Sequence, residues 1–294
     1  MTTDVPAPVW PTPQPEPPVD RRRRQRRRRT LYAVVAGWAV LLLGATAFSA
    51  LRDEPTVREQ RSLTQARPIV DRAVGELVAA AGPDPVVELG QQRLDTDCRL
   101  TVLRRGESLT ASVAFRTPEA DGPGLLDRIA QSLPAGYRPS VWHSPDGTDH
   151  TLHADAGEFV AVSGDLVSPG LVRLTVRTGC RPAGPQQRHA VAPLPPDPAD
   201  NEPVRVLAAI GATDPTPVEL TAARCPDGGF VRTARATGQG APAESPGALL
   251  PRPAGTVVVT DTPESYAYRV GRLDVVVEAL DGTTRVAVTS GCSG

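Results

Sequence analysis

The chain contains no lysine, and all 32 of its basic residues are arginine. Isoleucine, asparagine and phenylalanine are scarce, while alanine, valine, proline and glycine abound. GC-rich codons impose this bias, so it points to a GC-rich bacterial genome and carries no mechanism. Also missing are a G-x-S-x-G nucleophile elbow, an S-x-x-K, an H-E-x-x-H and a phosphate-cradling G-x-x-x-x-G-K. No catalytic constellation remains, and the expectation is a protein that is not an enzyme and holds no cofactor. None of the four cysteines, Cys98, Cys180, Cys225 and Cys292, has a partner at C-x-x-C spacing. That argues against a zinc ribbon or a redox pair, so no metal site is expected from them.

Charge is absent from one further place. Leu31 to Leu51 reads LYAVVAGWAVLLLGATAFSAL, 21 residues without a charged side chain. As a helix this run is about 30 Å long, the thickness of a bilayer's hydrocarbon core. Only a helix or a closed barrel satisfies every backbone group there. Immediately before it stand Arg21, Arg22, Arg23, Arg24, Arg26, Arg27, Arg28 and Arg29, against Arg52 alone just beyond it. Such an imbalance sets topology, with the arginines inside and 52–294 outside. The run is basic enough for nucleic acid, but against an apolar span it reads as a topology determinant that also holds anionic headgroups. Residues 53–294 carry 23 arginines and 30 acids. This mildly acidic part has no general attraction for nucleic acid.

A rival reading is a cleaved export signal. Arg28-Arg29-Thr30-Leu31-Tyr32 loosely fits a twin-arginine motif, and Ala45-Thr46-Ala47 fits a small-residue cleavage site. A long arginine run supplies twin arginines by chance, however, and the apolar stretch exceeds the usual signal length of about 7–15 residues. The expectation is an uncleaved anchor.

Residues 1–30 are expected to be a disordered Pro- and Arg-rich tail, since residues 1–20 offer little to bury. After the span (31–51) comes a polar juxtamembrane helix (52–66). A second helix starts at Pro68 and stops at Gly82, with Ile69, Val70, Ala73, Val74, Leu77, Val78 and Ala81 on one stripe. Strands are read at CRLTVL from Cys98, LTASVAFR from Leu109, FVAVSG from Phe159 and LVRLTVRT from Leu171, with a short helix between Gly124 and Pro134. In the last of these strands Val172, Leu174 and Val176 alternate with Arg173, Thr175 and Arg177, a half-buried antiparallel pattern. The proline-dense stretch 183–201 reads as a semi-rigid spacer between two bodies.

The segment after the spacer repeats the segment before it. PVEL at Pro217 echoes VVEL at Val86, and each is followed by a cysteine. GEFVAVSGDLVSPGLVRLTVRTGC (157–180) matches GRLDVVVEALDGTTRVAVTSGC (271–292), so Arg173 meets Arg285 and Val176 meets Val288. A period near 120 residues means two domains and not a solenoid. The repeats span 67–182 and 202–294. Cysteines in an exported chain read as disulfides, and the duplication selects Cys98–Cys180 and Cys225–Cys292 among the three possible pairings. The expected fold is α+β, with a single N-terminal transmembrane helix followed by two duplicated antiparallel-sheet-plus-helix extracytoplasmic domains, each closed by a disulfide.

The remaining candidates for chemistry are histidines. His143, His150 and His153 crowd into VWHSPDGTDHTLHAD. Pro145-Asp146-Gly147 makes that stretch a hairpin, and His150 and His153, three apart on one strand, point to opposite faces. Only His143 and His150 are placed to converge, which favours solvated hairpin residues over a metal centre. Trp142 and the pair Tyr266 and Tyr268 occupy corresponding hairpins and are expected in the core. The expectation is a non-catalytic binding module of the bacterial envelope, with an unidentified protein or ligand as partner. The alternative is an envelope metal-binding protein or enzyme using the His143, His150 and His153 region.

Overall fold

The computed structural model describes residues 21–52, 61–102, 104–182, 184, 194, 196–242 and 244–292. The expected tail over 1–20, most of the juxtamembrane segment (53–60) and most of the spacer (183, 185–193 and 195) lie outside the described residues. The chain divides into two compact units, Met1–Glu54 and Pro55–Gly294.

The described residues of the first unit form one helix, α1 (Arg21–Arg52). The apolar run carries helix back through the arginines, which are good helix formers, so helix replaces the expected disorder over residues 21–30. Within it, 22 residues from Gln25 to Thr46 are long and apolar enough to cross a membrane. Leu31, Val35, Trp38, Leu41 and Leu43 are all exposed. The Thr30 and Thr46 hydroxyls donate to the carbonyls of Arg26 and Leu42, at 3.0 and 2.8 Å. Both threonine hydroxyls are thereby paired within the helix, as an apolar environment favours.

The second unit opens with α2 (Leu63–Ala81), β1 (Val86–Leu89), β2 (Arg93–Arg99) and β3 (Arg105–Arg116), then α3 (Gly122–Ser132), β4 (Ser140–His143), β5 (His150–Asp155), β6 (Ala161–Ser168) and β7 (Leu171–Arg177). After the spacer come α4 (Glu202–Ala209), β8 (Glu219–Arg224), β9 (Phe230–Gln239), α5 (Pro246–Leu249), β10 (Val257–Asp261), β11 (Ser265–Val270), β12 (Leu273–Leu280) and β13 (Thr283–Ser290). All neighbouring strands pair antiparallel. The first sheet runs β1-β3-β7-β6-β5-β4, with β2 also on β3, and the second runs β10-β11-β12-β13-β9-β8. Read from opposite ends, the six-strand paths run in corresponding chain order, and β2 of the first sheet has no counterpart. The fold is α+β with two antiparallel sheets.

Local boundaries shift for identifiable reasons. Helix α2 starts at Leu63, five residues before Pro68, because Ser62 and Gln65 cap it: the Ser62 N–H donates to Gln65 Oε1 at 3.1 Å. CRLTVL is only partly a strand. Its Leu100 N–H donates to the Arg104 carbonyl at 3.0 Å, closing a hairpin whose tip exposes Val102. In β7 the alternation holds, with Val172, Leu174 and Val176 fully buried. The two disulfides join Cys98 to Cys180 and Cys225 to Cys292.

Helices α2 and α3 cover one face of the first sheet, and α4 covers one face of the second. The repeats do not pack as separate bodies. The first core also takes in Ala223, Cys225 and Val231 from the second repeat. A smaller cluster of Val86 with Ala267, Val276 and Ala287 fills the gap beneath β1. Strand β1 lies at the junction: it pairs with β3 on one edge, so Val87 and Leu89 direct their N–H groups outward. Those donors are met by side chains of the second sheet, Asp274 Oδ2 at 3.1 Å and Thr233 Oγ1 at 3.0 Å. Arg235 completes the edge by donating to the Leu89 carbonyl at 2.7 Å. A strand edge that would otherwise be open is closed by the other repeat.

Candidate functional site

Beneath β1 lies a buried ion cluster. Glu88 accepts from Arg235 at 2.8 Å, from Arg285 at 3.2 Å and from Arg116 at 3.5 Å. Glu278 accepts from Arg285 at 2.5 Å and also from Arg116. Burial alone would raise the Glu88 carboxyl, but the guanidiniums of Arg285 and Arg235 outweigh it and hold the group at about 2. Asp274 shows the opposite balance. Burial pushes it up to about 7, and neither the Val87 N–H nor the charge of Arg269 offsets that.

Above this cluster the repeats enclose a cleft of about 360 Å³, walled by the β6–β7 turn on one side and β10 on the other. Its lining includes Arg116, Glu119, Ser168, Asp261, Ser265 and Glu278, so carboxylates outnumber guanidiniums. Gly170, at φ +74°, shapes the first wall: a Cβ there would sit 2.4 Å from the Thr117 carbonyl oxygen. The lining holds hydroxyls but no histidine or cysteine to activate them. Its lining is polar, with three carboxylates, one guanidinium and several hydroxyls.

The histidines are placed differently. His143 on β4 stands directly across the hairpin from His150 on β5, and His153 stands across from Ser140. The Nδ1 atoms of His143 and His150 are 2.6 Å apart. Among the described residues, no group of three or more His, Cys, Asp or Glu side chains is gathered to hold a metal ion. Trp142 is a correction to the sequence reading: it is 54% exposed, because β4 is an edge strand. Tyr266 and Tyr268, on the more interior β11, are buried. Arg26 to Arg29 are exposed on α1.

The junction residues Glu88, Arg116, Arg235, Asp274, Glu278 and Arg285 escape a reading based on catalytic motifs. Their signal is a charge inside an apolar strand, as in VVEL and LDVVVEAL.

No family model matches the chain, and no curated protein sequence matches it. Among solved structures it is similar to the crystal structure of a DUF4853 family protein from Actinomyces odontolyticus. The identity is 14%, over 60% of this chain and 89% of that one, with a TM-score of 0.31. At that score the likeness bears on neither fold nor function.

Proposed function

We propose that this is a single-pass, membrane-anchored protein of the bacterial envelope. Its arginine-rich N-terminus is cytoplasmic, its two duplicated repeats are extracytoplasmic, and its role is to bind rather than to catalyse. The observation that carries the reading is the pairing of two features in one chain. An exposed apolar helix follows an arginine run, and both disulfides lie beyond it. Disulfides persist in oxidising compartments, and arginine-flanked spans keep their basic end inside.

The binding face in this reading is the cleft between the repeats. Its excess of carboxylates suits a polar ligand that carries positive charge or several hydroxyls. The anionic headgroups of the inner leaflet engage the arginine run at the other end of the chain. A fusion after Gly294 tests the topology. A reporter that works only in the cytoplasm stays silent, and one that needs an oxidising compartment is active. The reverse pattern rejects the anchor. Release of a mature form beginning near Phe48 establishes the cleaved-signal alternative.

A further inference from the structure

The exposed face of the β4–β5 hairpin carries an arrangement that the binding cleft does not use. His143 Nε2 lies 3.1 Å from Asp127 Oδ1 on α3. A carboxylate only accepts, so this Nε2 carries the proton and donates. His150 Nε2 lies 3.1 Å from the Gly147 carbonyl, which also only accepts, so it donates as well. In each neutral ring the remaining nitrogen, Nδ1, is then a bare lone pair. These two lone pairs face one another at 2.6 Å. Two acceptors cannot be held at that distance with nothing between them. The pair needs a cation between its nitrogens, either a proton or a metal ion.

We propose that His143 and His150 bind one divalent transition-metal ion of the copper, nickel and zinc class through their Nδ1 atoms. Several features fit a metal. Ligating histidines commonly donate their other ring N–H to a carboxylate or a backbone carbonyl, and here both do, to Asp127 and Gly147. The Asp127 carboxylate, across the His143 ring from the ion, makes that imidazole a stronger electron donor. The hairpin register sets the two rings directly opposite one another, so the chelate costs little ordering. Metal–nitrogen bonds of about 2.0–2.1 Å at a right angle place two nitrogens about 3 Å apart. Rotating two partly exposed side chains by a few tenths of an ångström supplies that spacing. The right angle favours the tetragonal geometry of Cu²⁺ or Ni²⁺. With two protein ligands, water fills the other positions. The equivalent hairpin of the second repeat, β10–β11, has no histidine, so the site belongs to the first repeat alone.

The test is Cu²⁺ titration of the full chain, without a histidine tag, in detergent micelles, followed by electron paramagnetic resonance. One Cu²⁺ per chain is expected, with hyperfine structure from two imidazole nitrogens. His143→Ala and His150→Ala should each weaken binding at least tenfold, and Asp127→Asn roughly tenfold through loss of the supporting carboxylate. His153→Ala, on the opposite face, should bind as the native chain does. The nitrogen count in the native chain decides the matter even if a variant folds poorly. Absence of stoichiometric copper would overturn the proposal and leave a proton as the occupant. Binding that survives His143→Ala and His150→Ala would overturn it as well.

Discussion

Glu88 is the residue on which the junction turns. It faces three guanidiniums, Arg116, Arg235 and Arg285, and is itself almost fully buried, while Arg285 keeps partial contact with solvent. Swapping such a cluster for apolar residues can be neutral, but removing one partner leaves buried charge uncompensated, at about 3–5 kcal/mol. Glu88→Ala is therefore expected to lower unfolding stability by roughly that amount in urea titrations under oxidising conditions. A loss below about 1 kcal/mol would mean that the arginines find other partners. Asp274 gives a signature in pH. Its folded value of about 7 lies above the ordinary 3.8, so the native state holds a proton that the unfolded chain releases. Its contribution is fully present below pH 4 and is lost as pH rises through 7, on the order of a few kcal/mol. Glu88 acts in the other direction, its contribution being present above about pH 4.5 and lost as pH falls toward 2. Asp274→Asn keeps an oxygen for the Val87 N–H and removes the charge. Its stability should stay flat between pH 5 and 8 where the native protein's declines, and equal declines in both would reject this role. Single residues of this kind were only partly legible in the sequence. The alternation in β7 and the facing of His143 and His150 follow from strand geometry alone. The partners of Glu88 lie up to 197 positions away, and no local pattern encodes them.

Among the elements, α2 does the most to unite the fold, because one helix packs on both repeats. Its contact with β8 passes through Gly75, where a Cβ would lie 1.9 Å from the Arg224 carbonyl oxygen. Backbone has to move to admit it. Gly75→Ala should cost about 1–3 kcal/mol even though alanine is the better helix former. Gly124, in α3, has nothing within 4 Å of such a Cβ. Gly124→Ala should instead gain about 0.5–1 kcal/mol. Thermal unfolding of the two variants side by side checks the contrast, and a shift of the same sign in both would contradict it. The elements with a surviving apolar periodicity, such as α2, β3 and β7, were legible, whereas the exposed β2 carries no such pattern. The start of α2 was not legible, since a proline reads as a first helical residue when the serine cap lies six positions earlier. The exposure of Trp142 was missed for a similar reason. Sequence marks it as a strand residue, but only the sheet order makes β4 an edge.

At the scale of the whole molecule, matching segments were visible in the sequence, and apart from β2 the two sheets trace corresponding strand orders. The relation between the repeats was not visible. A proline-rich spacer suggests two beads on a string, whereas Pro55–Gly294 is one compact unit. The joining surfaces are discontinuous, with Val86–Leu89, Arg116 and one face of α2 meeting residues scattered over β8, β9, β11, β12 and β13, so no long apolar pattern announces them. Both disulfides lie within repeats, which leaves the spacer as the one covalent link between the repeats among the described residues. Cutting it therefore measures the junction directly. With a site-specific protease sequence inserted between Gln187 and Arg188, the cleaved protein should elute from size-exclusion chromatography as a single species containing both fragments. The fragments should part only in denaturant, and more readily when Glu88→Ala is present. If they separate in native buffer as two folded halves, the shared core and the ion cluster do not hold the repeats together, and the joining of the repeats into a single body is contradicted.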